Sequence, residues 1–153
     1  MDVYEVFKTI HIVAAVAWVG GVILSQVNGA LATRSGEQVR LHGFIQDQAW
    51  LGKRYFAPAA IVLILAGIAM VIESGWEFAD LWIVFGIALW VASVIIGAGF
   101  LGPLSEKLTT ELGQKGMDDP GVQSLANRLA LLSRADLVIL LLVVIDMVVK
   151  PGA

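Results

Sequence analysis

Residues 9–33, TIHIVAAVAWVGGVILSQVNGALAT, run for 25 positions without a Lys, Arg, Asp or Glu. About 20 apolar residues at roughly 1.5 Å rise match the ~30 Å hydrocarbon core of a bilayer, so this stretch predicts a membrane-spanning helix. Two further uncharged runs follow, Tyr55 to Ile72 (18 residues) and Leu81 to Ser105 (25 residues). A fourth stretch, Leu132 to Lys150, contains Arg134, Asp136 and Asp146. Its centre, Leu137 to Ile145, is unbroken Leu, Val and Ile, and the charges lie near its ends, where long side chains can reach water. The 153 residues therefore read as one all-α polytopic membrane domain, a four-helix bundle with spans near 5–32, 55–73, 81–103 and 132–150.

Composition agrees: 58% of residues are hydrophobic, 15% are charged, and the mean hydropathy is +0.83, outside the soluble range. There are no cysteines, which excludes disulfides, thiolate metal sites and cysteine catalysis. Ten Lys/Arg against thirteen Asp/Glu argues against nucleic acid as a partner and leaves the lipid bilayer as the expected one. The leader Met1–Lys8 holds Asp2 and Glu5 against one lysine, so the first run is expected to be retained rather than cleaved as a signal peptide.

Basic residues set the orientation. Arg34, Arg40, Lys53 and Arg54 lie between spans one and two, and Lys107, Lys115, Arg128 and Arg134 between spans three and four. Lys8 and Lys150 are the basic residues of the other side. The positive-inside rule then places both large loops in the cytoplasm and both termini outside.

Both loops read as helical. Ser35 with Gln38 suggests a capping box opening a short helix, with Val39, Ile45 and Trp50 at the membrane surface. Leu104, Leu108 and Leu112 extend the third helix beyond the lipid. Gly113 and Gly116 break it, and Asp119-Pro120 starts another helix that runs through Val122, Leu125, Leu129 and Leu132 into span four. Trp50, Trp76 and Trp82 at span ends predict an aromatic belt. Pro58 is expected in the first turn of span two, and Arg134 with Asp136 as a pair at the cytoplasmic boundary.

In lipid, helices associate through close backbone contact rather than hydrophobic drive. Ala17, Gly21, Ser25 and Gly29 recur every four residues as a small-residue stripe for such contact, beside His11, Ala14, Trp18 and Asn28. The topology separates His11, near the outer end, from His42 in the first cytoplasmic loop. It brings Met70 and Met147 to about the depth of His11. Histidine with methionine is an axial pair used by haem iron and also suits copper, which makes His11, Met70 and Met147, with Trp18 nearby, the candidate ligand region. Asp146 is a candidate counter-charge or proton relay. Walker, dinucleotide, zinc-protease and nucleophile-elbow motifs are absent, so hydrolase and kinase chemistry is excluded.

The stretch His11-Ile-Val-Ala-Ala-Val-Ala-Trp18-Val-Gly20-Gly21 resembles the first helix of a superfamily of small bacterial membrane proteins. It includes CopD-type copper-resistance domains, HemJ-type protoporphyrinogen oxidases and an uncharacterised four-helix family of predicted integral membrane proteins. The last is the nearest in pattern, through Gly102-Pro103-Leu104 and the ending Met147-Val-Val-Lys150-Pro151-Gly152. The resemblance implies the bacterial inner membrane and, from the HemJ-type first-helix histidine, a haem b ligand at His11; Pro58 and Gly67 match the second helix. Those enzymes carry a second histidine where this chain has about Ala32, and a lysine where it has about Gly86, so the resemblance does not extend to their oxidase activity. Three expectations result: haem b on His11 with Met70 or Met147 opposite, or shared between the His11 residues of a homodimer; a non-catalytic accessory subunit docking on a larger membrane complex by the small-residue stripe; or a copper or small-solute carrier.

Overall fold

The computed structural model describes residues 2–152, and all their regular structure is helical. Six helices form: α1 (Val3–Arg34), α2 (Gln38–Leu51), α3 (Ala57–Ser74), α4 (Leu81–Val94), α5 (Gly102–Lys115) and α6 (Pro120–Val149). They make four rods, because α2 continues into α3 and α4 into α5 without leaving the helix. Three rods, Val3–Arg34, Gln38–Ser74 and Leu81–Lys115, are long and apolar enough to cross a membrane. The fourth, α6, is 30 residues long, or about 45 Å at 1.5 Å per residue, but its apolar half keeps Arg134, Asp136 and Asp146.

Proline explains the two joints. Pro58 and Pro103 each lie one residue inside the helix that follows a π-helical segment, Gly52–Phe56 and Ile95–Leu101 respectively. A proline inside a long helix lacks the N–H for its turn, and its ring crowds the carbonyl four residues back. Widening the preceding turn relieves this: Ala57 N–H reaches the Gly52 carbonyl and Gly102 N–H the Gly97 carbonyl, both five residues back. Pro58 lies in the first turn of α3, as expected, and α3 continues the rod that α2 begins. For the same reason α2 is the lower part of that rod and not a helix lying on the membrane surface. Ile45 is buried, whereas Val39 and Trp50 are 85% and 62% exposed.

Helix ends follow local chemistry. Asp2 and Glu5 form a reciprocal capping box at the start of α1. Asp119 caps α6, its carboxylate accepting from Val122 N–H at 3.1 Å, with Pro120 in the first turn. Ser35 is different from the sequence expectation. It closes α1, donating to the Ala32 carbonyl at 2.7 Å and accepting from Glu37 N–H, and the residue that precedes α2 is Glu37. The third helix runs through Gly113 and stops at Gly116, whose φ of 82° suits glycine.

The rods pair antiparallel, α1 with α3 and α4 with α6. At one end, Tyr4 stacks edge-on against Trp76 at 6.1 Å, Trp76 against Trp82 at 4.8 Å, and the Lys150 ammonium lies 4.0 Å and 4.8 Å from those two indole centroids. The start of α1, the turn before α4 and the end of α6 thus share one end of the bundle. Trp82 is buried there against Val71 and Ile83 and is not part of an exposed aromatic belt.

At the opposite end the ends of α1, α2, α5 and the start of α6 build a second core from Ala32, Leu41, Ile45, Leu108, Leu112 and Val122. This helical cap carries most of the basic residues, with ion pairs Lys53–Glu106 (3.8 Å) and Glu111–Lys115 (2.5 Å) on its surface. The Glu111 carboxylate raises the Lys115 ammonium pKa above its usual value, but so exposed a pair adds little stability. The apolar middle between the two ends is packed around Ala14, Trp18, Val22, Ala60, Leu63 and Leu140.

Candidate functional site

His11 lies in the seam between α1 and α3. Its Nδ1 is 2.9 Å from the Leu63 carbonyl. A carbonyl only accepts, so Nδ1 carries the proton and Nε2 of the neutral ring keeps its lone pair. The ring lies against Gly67: a Cβ there would sit 3.1 Å from His11 Cε1 and 3.2 Å from Nδ1. The Nδ1–Cε1 edge therefore rests on bare helix backbone. Nε2 has no hydrogen-bond partner among the described residues and is not sealed inside the protein. A backbone carbonyl on one ring nitrogen and a free lone pair on the other is the usual arrangement of a metal-ligating histidine.

The small-residue stripe of α1 is occupied within the chain. A Cβ on Gly21 would meet the rings of Tyr55 and Phe56 at 2.8 and 2.9 Å, and one on Gly29 the ring of Phe44 at 2.9 Å. Tyr55 also donates to the Ala17 carbonyl at 2.7 Å. Ala17, Gly21 and Gly29, with Ser25 half-buried between them, thus receive the aromatic side chains of the α2–α3 rod. The stripe gives close contact, but ring on backbone rather than backbone on backbone, and it faces this chain's own second rod.

The other candidate ligands occupy different surroundings. Met70 is half-buried on α3, one turn beyond Gly67. Met147 packs with Val71, Trp82 and Ile83, and its methyl group sits against Gly86 of α4. Trp18 is a core side chain of the apolar middle. The cavity beside it, lined by Ala15, Leu63, Trp90, Leu140 and Val143 among others, measures about 30 Å³. Small-molecule and cofactor sites occupy about 300–1,000 Å³. This cavity is therefore too small to hold a haem. A shallow groove of about 290 Å³ between α4 and α6 is lined by Phe85, Leu89, Leu142, Ile145 and Asp146 and has no histidine. Among the described residues no three His, Cys, Asp or Glu side chains group to hold a metal ion.

The polar interior lies elsewhere. Asp136 is buried at 6% exposure and accepts from the hydroxyl of Ser93, itself 2% exposed, at 2.5 Å. The boundary pairing expected between Arg134 and Asp136 is not formed; Arg134 is exposed, while Asp136 turns into the bundle toward α4. One turn away on α6, Ser133 accepts from Gln26 of α1 at 2.6 Å. Asp146, near the other end of α6, has an Oδ2 that is buried without a partner among the described residues.

A family model described as predicted integral membrane protein (DUF2269) matches residues 5–151. The chain belongs to the DUF2269 family. No curated protein and no solved structure matches this DUF2269 chain.

What this membrane bundle contains that sequence reasoning missed is the Ser93–Asp136 pair. A signal exists: the first and third charge-free runs pack against α6, so a carboxylate on its inward face has only hydroxyls and amides to pair with, and Ser93 is the serine in the middle of the third run. The helical face of Asp136 was the missing datum, since Arg134 two residues earlier points outward.

Proposed function

We propose that this DUF2269 protein is a four-span protein of the bacterial inner membrane that holds haem b between two copies, each supplying His11. Both chain ends face outside and the helical cap lies in the cytoplasm, in line with the concentration of basic residues in the cap. The observation that carries the ligand reading is the His11 Nδ1–Leu63 carbonyl contact, which orients the imidazole and leaves Nε2 free. Gly67 supports this by letting the ring lie on α3 without displacing the helix.

Sharing between two copies follows from space and ligand number. The cavity beside Trp18 measures about 30 Å³, and His42, the other histidine, hydrogen-bonds Gln46 on α2. A second copy supplies a second imidazole without any change inside the bundle. Haem so ligated supplies one-electron chemistry. The chain's own contribution is to fix the imidazole tautomer and depth, to present it from a rigid α1–α3 pair, and to keep water away with the apolar surface of α1. The alternative of docking a larger complex by the small-residue stripe is poorly supported, because that stripe receives Phe44, Tyr55 and Phe56.

Absorption spectra of dithionite-reduced protein, purified from cells supplied with haem, test the reading. A Soret band at one haem per two chains is expected, with its loss in His11→Ala while the variant still purifies as a folded membrane protein. No Soret band in the unaltered protein, or an unchanged one in His11→Ala, contradicts it.

A further inference from the structure

Asp136 has an unusual position for a carboxylate. Its surroundings bring it no cation: α1 from Thr9 to Thr33, the second rod from Tyr55 to Ile72 and the third from Leu81 to Ser105 contain no Lys, Arg, Asp or Glu. The titratable groups on those stretches are His11 and Tyr55, and both are engaged in the α1–α3 seam. On α6 itself Arg134 is exposed, Arg128 lies two turns toward the cap, and Asp146 lies ten residues, or about 15 Å, toward the other end. The one hydrogen-bond partner of Asp136 among the described residues is the Ser93 hydroxyl. A charged carboxylate in so apolar a place, without a counter-ion, is far costlier than a neutral one. Either a proton or a bound cation must therefore accompany it, and a single hydroxyl is a poor coordination shell for a metal ion.

We propose that the Ser93–Asp136 pair is a proton-binding site inside the bundle, loaded from the side that carries the helical cap. Access is one-sided for a physical reason. Toward the cap, the half-buried Gln26–Ser133 hydrogen bond lies one turn from Asp136 and gives polar groups along which a proton can exchange. Toward the other end, Leu140, Leu63 and Trp18 close the interior. The cavity there is large enough for a water, but its lining offers little beyond the Trp90 indole N–H, which has no partner among the described residues; a buried water needs two to four polar contacts. Asp136 and Asp146 thus belong to separate polar sites divided by a dry plug, and the protein binds a proton at Asp136 without passing it through.

The site rests on α6 lying in the membrane, and carbodiimide labelling separates the two claims. A lipid-soluble carbodiimide adds to a protonated carboxyl group in an apolar site and leaves a mass tag. In the full-length protein in liposomes, peptide mass mapping is expected to find the tag on Asp136, falling as the pH is raised and unaffected by sodium at fixed pH. Ser93→Ala, which removes the hydroxyl donor to the carboxylate, is expected to raise labelling at a fixed alkaline pH about tenfold, the worth of one charge-assisted hydrogen bond. Absence of the tag from Asp136 at every pH overturns the proton site, and protection by sodium overturns it in favour of a cation site. Tagging of Asp136 by a water-soluble carbodiimide in preference to the lipid-soluble one overturns the membrane placement of α6 instead. The mapping uses the unaltered chain, so it does not depend on any variant folding.

Discussion

Leu112→Ala is expected to be the most damaging single truncation in the cap, lowering stability by about 2–5 kcal/mol. Leu112 is fully buried, packed with Ala32, Leu41, Ile45, Leu108 and Val122, and its carbonyl accepts from Gln38 Nε2 at 3.0 Å. The cap is where the charges lie, so its core is hidden from water and the full hydrophobic term applies together with the cavity term. Leu63, buried in the apolar middle, makes the contrast. A leucine in lipid is in surroundings as apolar as itself, so Leu63→Ala loses packing only and is expected to cost roughly half as much. Thermal melts of the two variants in detergent, followed by helical circular dichroism, check the order; a larger loss for Leu63→Ala would contradict a cap surrounded by water and an apolar middle surrounded by lipid.

Gly21→Leu is the second large effect. A Cβ alone would lie 2.8 Å from Tyr55 and 2.9 Å from Phe56, rings that pack edge-on at 5.2 Å and cannot move aside without breaking the Tyr55 bond to the Ala17 carbonyl. Overpacking costs about 1–3 kcal/mol and the lost hydrogen bond about 1 kcal/mol more. Gly20 is the internal control, since nothing lies within 4 Å of a Cβ built there. The expected result is a large drop in melting temperature for Gly21→Leu beside a near-neutral Gly20→Leu. Equal effects at the two positions would mean that α1 does not present this face to the second rod.

Much of this architecture is legible without coordinates, because membrane insertion writes itself into long charge-free runs and helix starts into residues such as Asp119 and Pro120. The Leu104–Leu108–Leu112 spacing likewise announces a third helix that outlasts the lipid. What the residues alone do not convey is how strain is relieved. Pro58 and Pro103 signal a difficulty within a helix, yet a break and a widened π turn satisfy the same sequence, and the turn that forms keeps α2 on the axis of α3. Ser35 offered a plausible start for α2 but spends its hydroxyl on the Ala32 carbonyl, the end of the preceding helix. Sequence spacing places the candidate ligands by depth and says nothing of azimuth. His11 and Met147 point into different seams, against Gly67 and Gly86 respectively, and those two glycines become informative only once the opposing helix is known. Asp136 is the sharpest case, a residue whose meaning reverses between the outward and inward sides of one helix.

The central claim is that four rods cross the bilayer, bringing the start of α1, the turn before α4 and the end of α6 to the outside and the cap to the cytoplasm. The chain has no cysteine, so single cysteines can be read without background. Val3→Cys, Glu77→Cys, Asp118→Cys and Gly152→Cys in intact spheroplasts, treated with a membrane-impermeant maleimide, give the most direct measurement. The account predicts that positions 3, 77 and 152 react at once and position 118 only after the membrane is permeabilised. Reaction at 3 and 77 with protection at 152 would mean that α6 does not cross, and reaction at 118 alone would invert the bundle; either result contradicts the account.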